Sequence, residues 1–238
     1  AQENVAIQIA QQISDFLNYD VIINSINVSP ISLEEAPKLK PYLDLALKLG
    51  KLGGQITEKT IKKINVTFKG EISNLNTKPL VSTVLAGIFS VKMESVNIIN
   101  SSKVAKDKNI EIITSFQDKA QHYSSEISIE IVSEEDIFSY AGTFFADKPR
   151  IISIKQMKVE AEISPNMLYI SNDDKPGFIG ALGTLLGEKK MNIGFFSLGR
   201  TGSGDAISII VLDQPVEEEL IALLEKLPNV KSIKKLVF

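Results

Sequence analysis

Apolar residues recur at helical spacing from the first turn of the chain: Val5, Ile9, Ile13 and the pair Phe16/Leu17 lie on one face. No Ser, Thr, Asp or Asn caps that helix at its start. The helix is therefore expected to continue from an upstream segment of a longer protein, with simple loss of an initiator Met as the alternative. "NYDVIINSINVSP" then reads as an extended connection into a second unit. Ser32 and Glu35 stand at capping-box spacing, and Pro41 suits the first turn of a helix carrying Leu43, Ala46, Leu47 and Leu49. Gly50, Gly53 and Gly54 follow, positioned for close backbone approach or to end that helix.

The period then changes from helical to alternating. In "IKKINVTFKG" Ile64, Val66 and Phe68 face one way and Lys63, Asn65, Thr67 and Lys69 the other, which is the signature of a half-exposed strand. "NTKPLVSTVLAGIFSVKM" is a helix with Thr77 as its cap and an apolar stripe through Leu80, Val84, Ile88 and Val91. "IEIITSF" and "SSEISIEIVS" are strands, and "FSYAGTFFADKPRIISI" reads as a hairpin turning at 147–150. Residues 20–155 thus form one mixed α/β unit after a connecting helix at 1–19. A third unit, 156–238, begins with the joining segment "KQMKVEAEISPN". From Met167 the order is strand, helix, strand, strand, helix, strand: a ferredoxin-like βαββαβ, so the fold class is α+β. Its two helices should cover one side of an antiparallel sheet and leave the other side or an edge for a partner.

Composition narrows the function classes. The net charge of −3 gives no reason to expect nucleic acid or an anionic membrane as partner. Absence of cysteine excludes disulfides, thiolate metal sites and Cys nucleophiles, and fits a cytoplasmic protein. No apolar run reaches the roughly 18 residues of a membrane span. His122, the only histidine, sits in the polar stretch "QDKAQHYSSE" without a ligand cluster or triad pattern, so no metal site is expected.

The candidate chemistry concentrates in "NDDKPGFIGALGTLLGEKKMN", residues 172–192. It is not a phosphate loop of the Gly-Lys-Ser/Thr type, and its glycines run G-x-x-G-x-x-G, not G-x-G-x-x-G. Gly180, Gly183 and Gly187 share a helix face, for which close packing of helix on sheet or helix on helix is the first explanation. The functional alternative is room for a ligand at the helix N-terminus near Gly177 and Gly180, where free N–H groups favour a carboxylate. Asn172 and Asp174 stand just before that terminus and Asn192 begins the next strand. Read as a site, Asp174 takes an ammonium, the helix N–H groups a carboxylate and the two amides the rest; read as structure, they are ordinary turn residues. "LGRTGSGDA" between two strands reads as a hairpin loop. Lys69, Lys148 and Arg150 form a candidate anion site in the middle unit, against the plainer reading of a solvated face.

The motif 172–192 with the downstream "FSLGRTGSGDAISIIVLD" resembles an ACT domain, a regulatory module that most often senses amino acids. Upstream, "AQENVAIQIAQQISDFL", "NSINVSP", "KLGKLGGQI" and "YAGTFFADKPRIISI" resemble the C-terminal half of long-type D-3-phosphoglycerate dehydrogenases. There a connecting helix leads into an intervening, allosteric substrate-binding domain, and the ACT domain comes last. The resemblance implies a parent enzyme that uses NAD to oxidise 3-phosphoglycerate at the first step of L-serine biosynthesis. That enzyme's nucleotide turn and catalytic residues lie upstream of the segment matching 1–17, so no catalytic residue or cofactor is expected in this chain, which should be inactive alone. It also implies serine bound at an ACT dimer interface through Asn172, Asp174 and Asn192, to which the helix-start reading adds Gly177, and hence a homo-oligomer. The other function class is a free-standing amino-acid-binding regulator acting on a separate protein.

Overall fold

The computed structural model describes residues 2–19, 30–202 and 204–238. The extended stretch expected after the first helix lies for the most part outside them, at 20–29. Helix α1 (Gln2–Tyr19) forms as the periodicity requires, but its stripe is uncovered: Val5, Ile9 and Ile13 are all more than half exposed.

The middle unit is built on a six-stranded sheet in the order β2-β1-β3-β4-β5-β6. Its strands are β1 (Ile61–Gly70), β2 (Glu111–Gln117), β3 (Ser125–Ser133), β4 (Ile137–Phe145), β5 (Lys148–Ile154) and β6 (Met157–Glu162). Only the β1–β2 pairing is parallel. One face is apolar, with Ile64, Val66 and Phe68 of β1 beside Ile127, Ile129 and Ile131 of β3. It is covered by α2 (Ala36–Ile56), α3 (Lys78–Ser90) and the short α4 (Ser101–Asp107).

Helix α2 is entered through the capping box: Glu35 N–H donates to Ser32 Oγ, and Ser32 N–H and Oγ–H both donate to the Glu35 carboxylate. It starts five residues before Pro41, with Pro37 in its first turn, so Pro41 lies inside the helix. The glycines of α2 serve close approach. A Cβ on Gly50 would stand 2.3 Å from the Val84 carbonyl oxygen and one on Gly87 of α3 would stand 2.5 Å from that of Leu47. The two helix backbones touch where no side chain fits.

Two hairpins close the unit, each on a two-residue turn with positive φ at both positions, Ala146/Asp147 and Lys155/Gln156. Such turns match the twist of the strands they join. The first therefore falls earlier than the expected 147–150, and Lys148, Pro149 and Arg150 are strand residues. The second sends the chain back as β6, so 157–162, placed in the last unit by the sequence reading, pair with β5. Met157, Val159 and Ala161 alternate inward along it.

The last unit has the expected order: β7 (Asn166–Asp173), α5 (Phe178–Glu188), β8 (Ile193–Arg200), β9 (Asp205–Leu212), α6 (Glu218–Leu224) and β10 (Val230–Val237), with sheet order β10-β7-β9-β8. Leu168, Ile170, Ile210, Leu212 and Ile233 pack under α5 and α6. The opposite face is not left open. Met167, Tyr169, Ile207, Ile209 and Leu236 are buried in the same apolar cluster as the six-stranded sheet. Gly199 lets β8 and β6 cross closely, since a Cβ there would lie 2.5 Å from Val159 Cγ2.

Polar contacts complete the junction. The Gln55 side chain exchanges hydrogen bonds with the Val237 backbone, and Lys234 pairs with Glu58. That pairing, first by hydrogen bond and then by charge, lowers the Glu58 carboxyl below its ordinary range. Burial, reinforced by the charge of Asp136, pushes the Tyr169 hydroxyl up to about 12, so it stays a neutral part of the packing.

Candidate functional site

The ACT-like loop is set by the end of β7 and the start of α5. Gly177 caps α5 in the left-handed region, φ 98°, which a Cβ would disfavour, and among the described residues no side chain caps the helix start. Below it Asn172 is 2% exposed; its Nδ2 donates to the Asp173 carbonyl at 2.8 Å, and its Oδ1 has no hydrogen-bond partner among the described residues. Strand alternation directs Asn172 to the helix-covered face, with Leu168 and Ile170. Asp174 N–H donates to the Gly204 carbonyl at 2.8 Å, which ties the loop to the β8–β9 hairpin.

The Asp174 carboxylate accepts from Arg200 Nε at 2.7 Å. Arg200 was not singled out in the sequence, although a tight hairpin at 198–206 necessarily returns it to the end of the sheet where β7 finishes. Beside this pair Lys231 bridges Asp173 and Asp205. Its two carboxylates hold the ammonium pKa above the usual lysine value, and Lys231 holds Asp173 below the carboxylate range. This rim is therefore dense in charge and internally paired.

Asn192 does not join it. Its backbone N–H donates to Gln214 Oε1 at 3.0 Å and its amide donates to Asp213. Register places it at the other end of the sheet: Ile193 pairs with Leu212, whereas Arg200 and Asn172 both pair with Ala206. The eight-residue strand β8 separates the two ends, about 26 Å at ~3.3 Å per residue. Within one chain, then, Asn172, Asp174 and Gly177 are neighbours and Asn192 is remote.

The three glycines of α5 pack against none of the described residues. A Cβ on Gly180, Gly183 or Gly187 would meet no atom within 4 Å. Ile179 on the same helix, and Ile193 and Phe195 on the adjoining edge strand, are exposed large apolar side chains.

In the middle unit each candidate cation is matched by a glutamate: Lys69 by Glu126 at 2.6 Å, Lys148 by Glu162 at 2.7 Å and Arg150 by Glu160 at 3.5 Å. Strand alternation puts Lys69 and Arg150 on the face opposite the helices, with two strands, β3 and β4, between them. The described residues of 198–206 lie where β8 turns into β9, and His122 is an exposed loop residue. Among the described residues no group of carboxylates or histidine could hold a metal, and no helix is long and apolar enough to cross a membrane.

Comparison with known proteins places these features. Residues 38–155 match the family model of the D-3-phosphoglycerate dehydrogenase intervening domain, and residues 166–229 match that of the ACT domain. Curated proteins named D-3-phosphoglycerate dehydrogenase align along nearly the whole chain. That of Synechocystis sp. is 30% identical over 97% of this chain and 42% of its own length. Those of Methanocaldococcus jannaschii and Bacillus subtilis are 28% and 27% identical, each over 98% of this chain and 45% of their own. The chain spans less than half the length of these relatives. It belongs to the D-3-phosphoglycerate dehydrogenase family and corresponds to its C-terminal regulatory half, an intervening domain followed by an ACT domain.

Proposed function

We propose that this chain is the amino-acid-sensing part of an NAD-dependent phosphoglycerate dehydrogenase of L-serine biosynthesis, that serine is its effector, and that it works as a cytoplasmic homo-oligomer. Catalysis and NAD binding belong to other parts of the parent protein, and the chain alone turns nothing over. The observation that carries the sensing role is the buried Asn172, whose amide oxygen has no partner, under a helix N-terminus that no side chain caps and beside Asp174. A buried acceptor left unpaired costs free energy that a ligand's ammonium or hydroxyl recovers.

The remoteness of Asn192 supports a shared pocket. A two-fold axis perpendicular to β8 reverses strand direction, so it brings the start of β8 in one copy towards the β7–α5 loop of the other. The glycine face of α5 and the free edge of β8 are the surfaces such an axis would join. The middle-unit trio Lys69, Lys148 and Arg150 remains our candidate for a phosphorylated ligand, which would have to displace their glutamates. The test is a calorimetric titration of the chain with L-serine, followed by sedimentation with and without it. Saturable binding with a stoichiometry of one per chain and a dimeric or larger species are expected; a monomer that does not respond to serine would end this reading.

A further inference from the structure

A cavity of about 580 Å³ lies in the middle unit, away from the ACT loop, where the end of α2, the end of α3, the start of β1 and the segment after α4 meet. That volume lies in the usual range for small-molecule sites. Its apolar lining comes from Ile61, Ile88, Phe89, Met93 and Ile110. Gly54 sits so close to α3 that a Cβ would be 2.4 Å from the Ile88 carbonyl oxygen, so α2 contributes backbone and no bulk.

The rim of this cavity is cationic. Lys92 Nζ donates to the carbonyls of Thr57 and Glu58, at 2.9 and 3.3 Å, where α2 ends. Lys108 closes the other side. Neither ammonium makes an ion pair with a carboxylate among the described residues, whereas Lys59 is paired with Glu135. The one carboxylate of the lining, Glu58, is held by Lys234 of β10. Thr57, also in the lining, is 8% exposed and its buried hydroxyl has no partner. The contrast with the trio Lys69, Lys148 and Arg150 is one of contact: there every cation has a carboxylate within 4 Å, whereas among the described residues Lys92 and Lys108 have none, although the charge of Lys92 also helps to lower the Glu58 carboxyl.

We infer that this cavity binds a small organic carboxylate with an apolar body, its carboxylate between Lys92 and Lys108 and its hydrocarbon on Phe89, Met93 and Ile110. An apolar floor alone would take a neutral molecule and an exposed lysine pair alone would take any anion; their juxtaposition selects a molecule with both. The lining residues Thr57, Glu58 and Lys59 also line a smaller cleft, about 340 Å³, whose other wall includes Tyr169 and Lys234 of the ACT sheet. One short segment therefore separates an occupant of the cavity from the junction of the two units.

The probes are 4-phenylbutyrate, its neutral amide, and acetate, titrated into the whole chain by calorimetry, with the methyl resonance of Met93 followed by NMR. We expect 4-phenylbutyrate to bind and to shift the Met93 methyl. The amide and acetate should each bind about 10-fold or more weaker, as should 4-phenylbutyrate to Lys108→Met. Lys108 leaves the end of α2 untouched, so this variant carries the test even if Lys92→Met disturbs the fold. No binding of 4-phenylbutyrate at ~10 mM overturns the proposal. So does equal affinity for acid and amide, or unchanged affinity in a well-folded Lys108→Met.

Discussion

Asp174 is already committed before any ligand arrives. Its carboxylate accepts from Arg200, whose side chain is 64% exposed. A pair open to water on one side is worth at most about 1 kcal/mol, so an incoming ammonium can replace the guanidinium at little cost. A charge-assisted hydrogen bond to the ligand is worth roughly 1.5–3 kcal/mol. Asp174→Ala should therefore weaken serine binding by about 10- to 100-fold, while Arg200→Gln should change it by less than about 5-fold. Calorimetric titration of both variants, with circular dichroism as the folding control, tests the two expectations together. Equal effects would show that Arg200 is needed for binding as much as Asp174 and is not displaced by the ligand. The sequence made Asp174 legible because an acidic residue before a helix start is a local pattern. It hid Arg200 because that partner is 26 residues away and arrives through hairpin register. It also hid the burial of Asn172, which depends on how α5 lies over β7. Asn192 was legible as a polar residue at a strand start, but its separation from Asp174 follows from β7 and β8 running in the same direction on either side of β9.

At the scale of elements, two sets of glycines that looked alike have opposite meanings. Both interrupt apolar helices, and both were read as places of close packing. Between α2 and α3 that is so: at Gly50 and Gly87 the backbones are in contact. Along α5 it is not, because each glycine faces open space. Helical periodicity tells which residues share a face but not what covers it, and only the assembled fold separates the cases. The consequences for substitution differ in sign. Gly50→Ala forces a methyl against a carbonyl and should destabilise the chain by about 1–3 kcal/mol, as overpacking does. Gly183→Ala removes a helix-interior glycine without a clash and should stabilise the isolated protomer by up to about 1 kcal/mol. Urea denaturation measures both; sedimentation of Gly183→Ala then reports separately whether self-association needs the bare helix face. Strand register was the other blind spot. Alternation located β4 and β5 correctly, and Asp147 marks the turn, yet Ala146 does not announce a left-handed position, so the hairpin tip falls one residue earlier than expected. β6 falls in the stretch read as a joining segment, although every second residue of it is buried.

For the whole molecule, the boundary between family domains is not a boundary in the packing. The ACT sheet contributes Met167, Tyr169, Ile207, Ile209 and Leu236 to the cluster that begins with the helices of the middle unit. Tyr169 meets Phe138 edge-on, with ring centroids 6.3 Å apart. A sheet whose two faces are both dry cannot lose one cover without exposing the other unit's core. The two domains should therefore melt as a single thermodynamic body. A calorimetric scan of the chain is expected to give one endotherm whose van't Hoff enthalpy equals the calorimetric enthalpy. Two resolved peaks would mean that the shared cluster is too weak to couple them. If the single endotherm is found, free energy gained by a ligand on the ACT loop is felt as protection throughout the middle unit, since neither domain can open while the other stays closed.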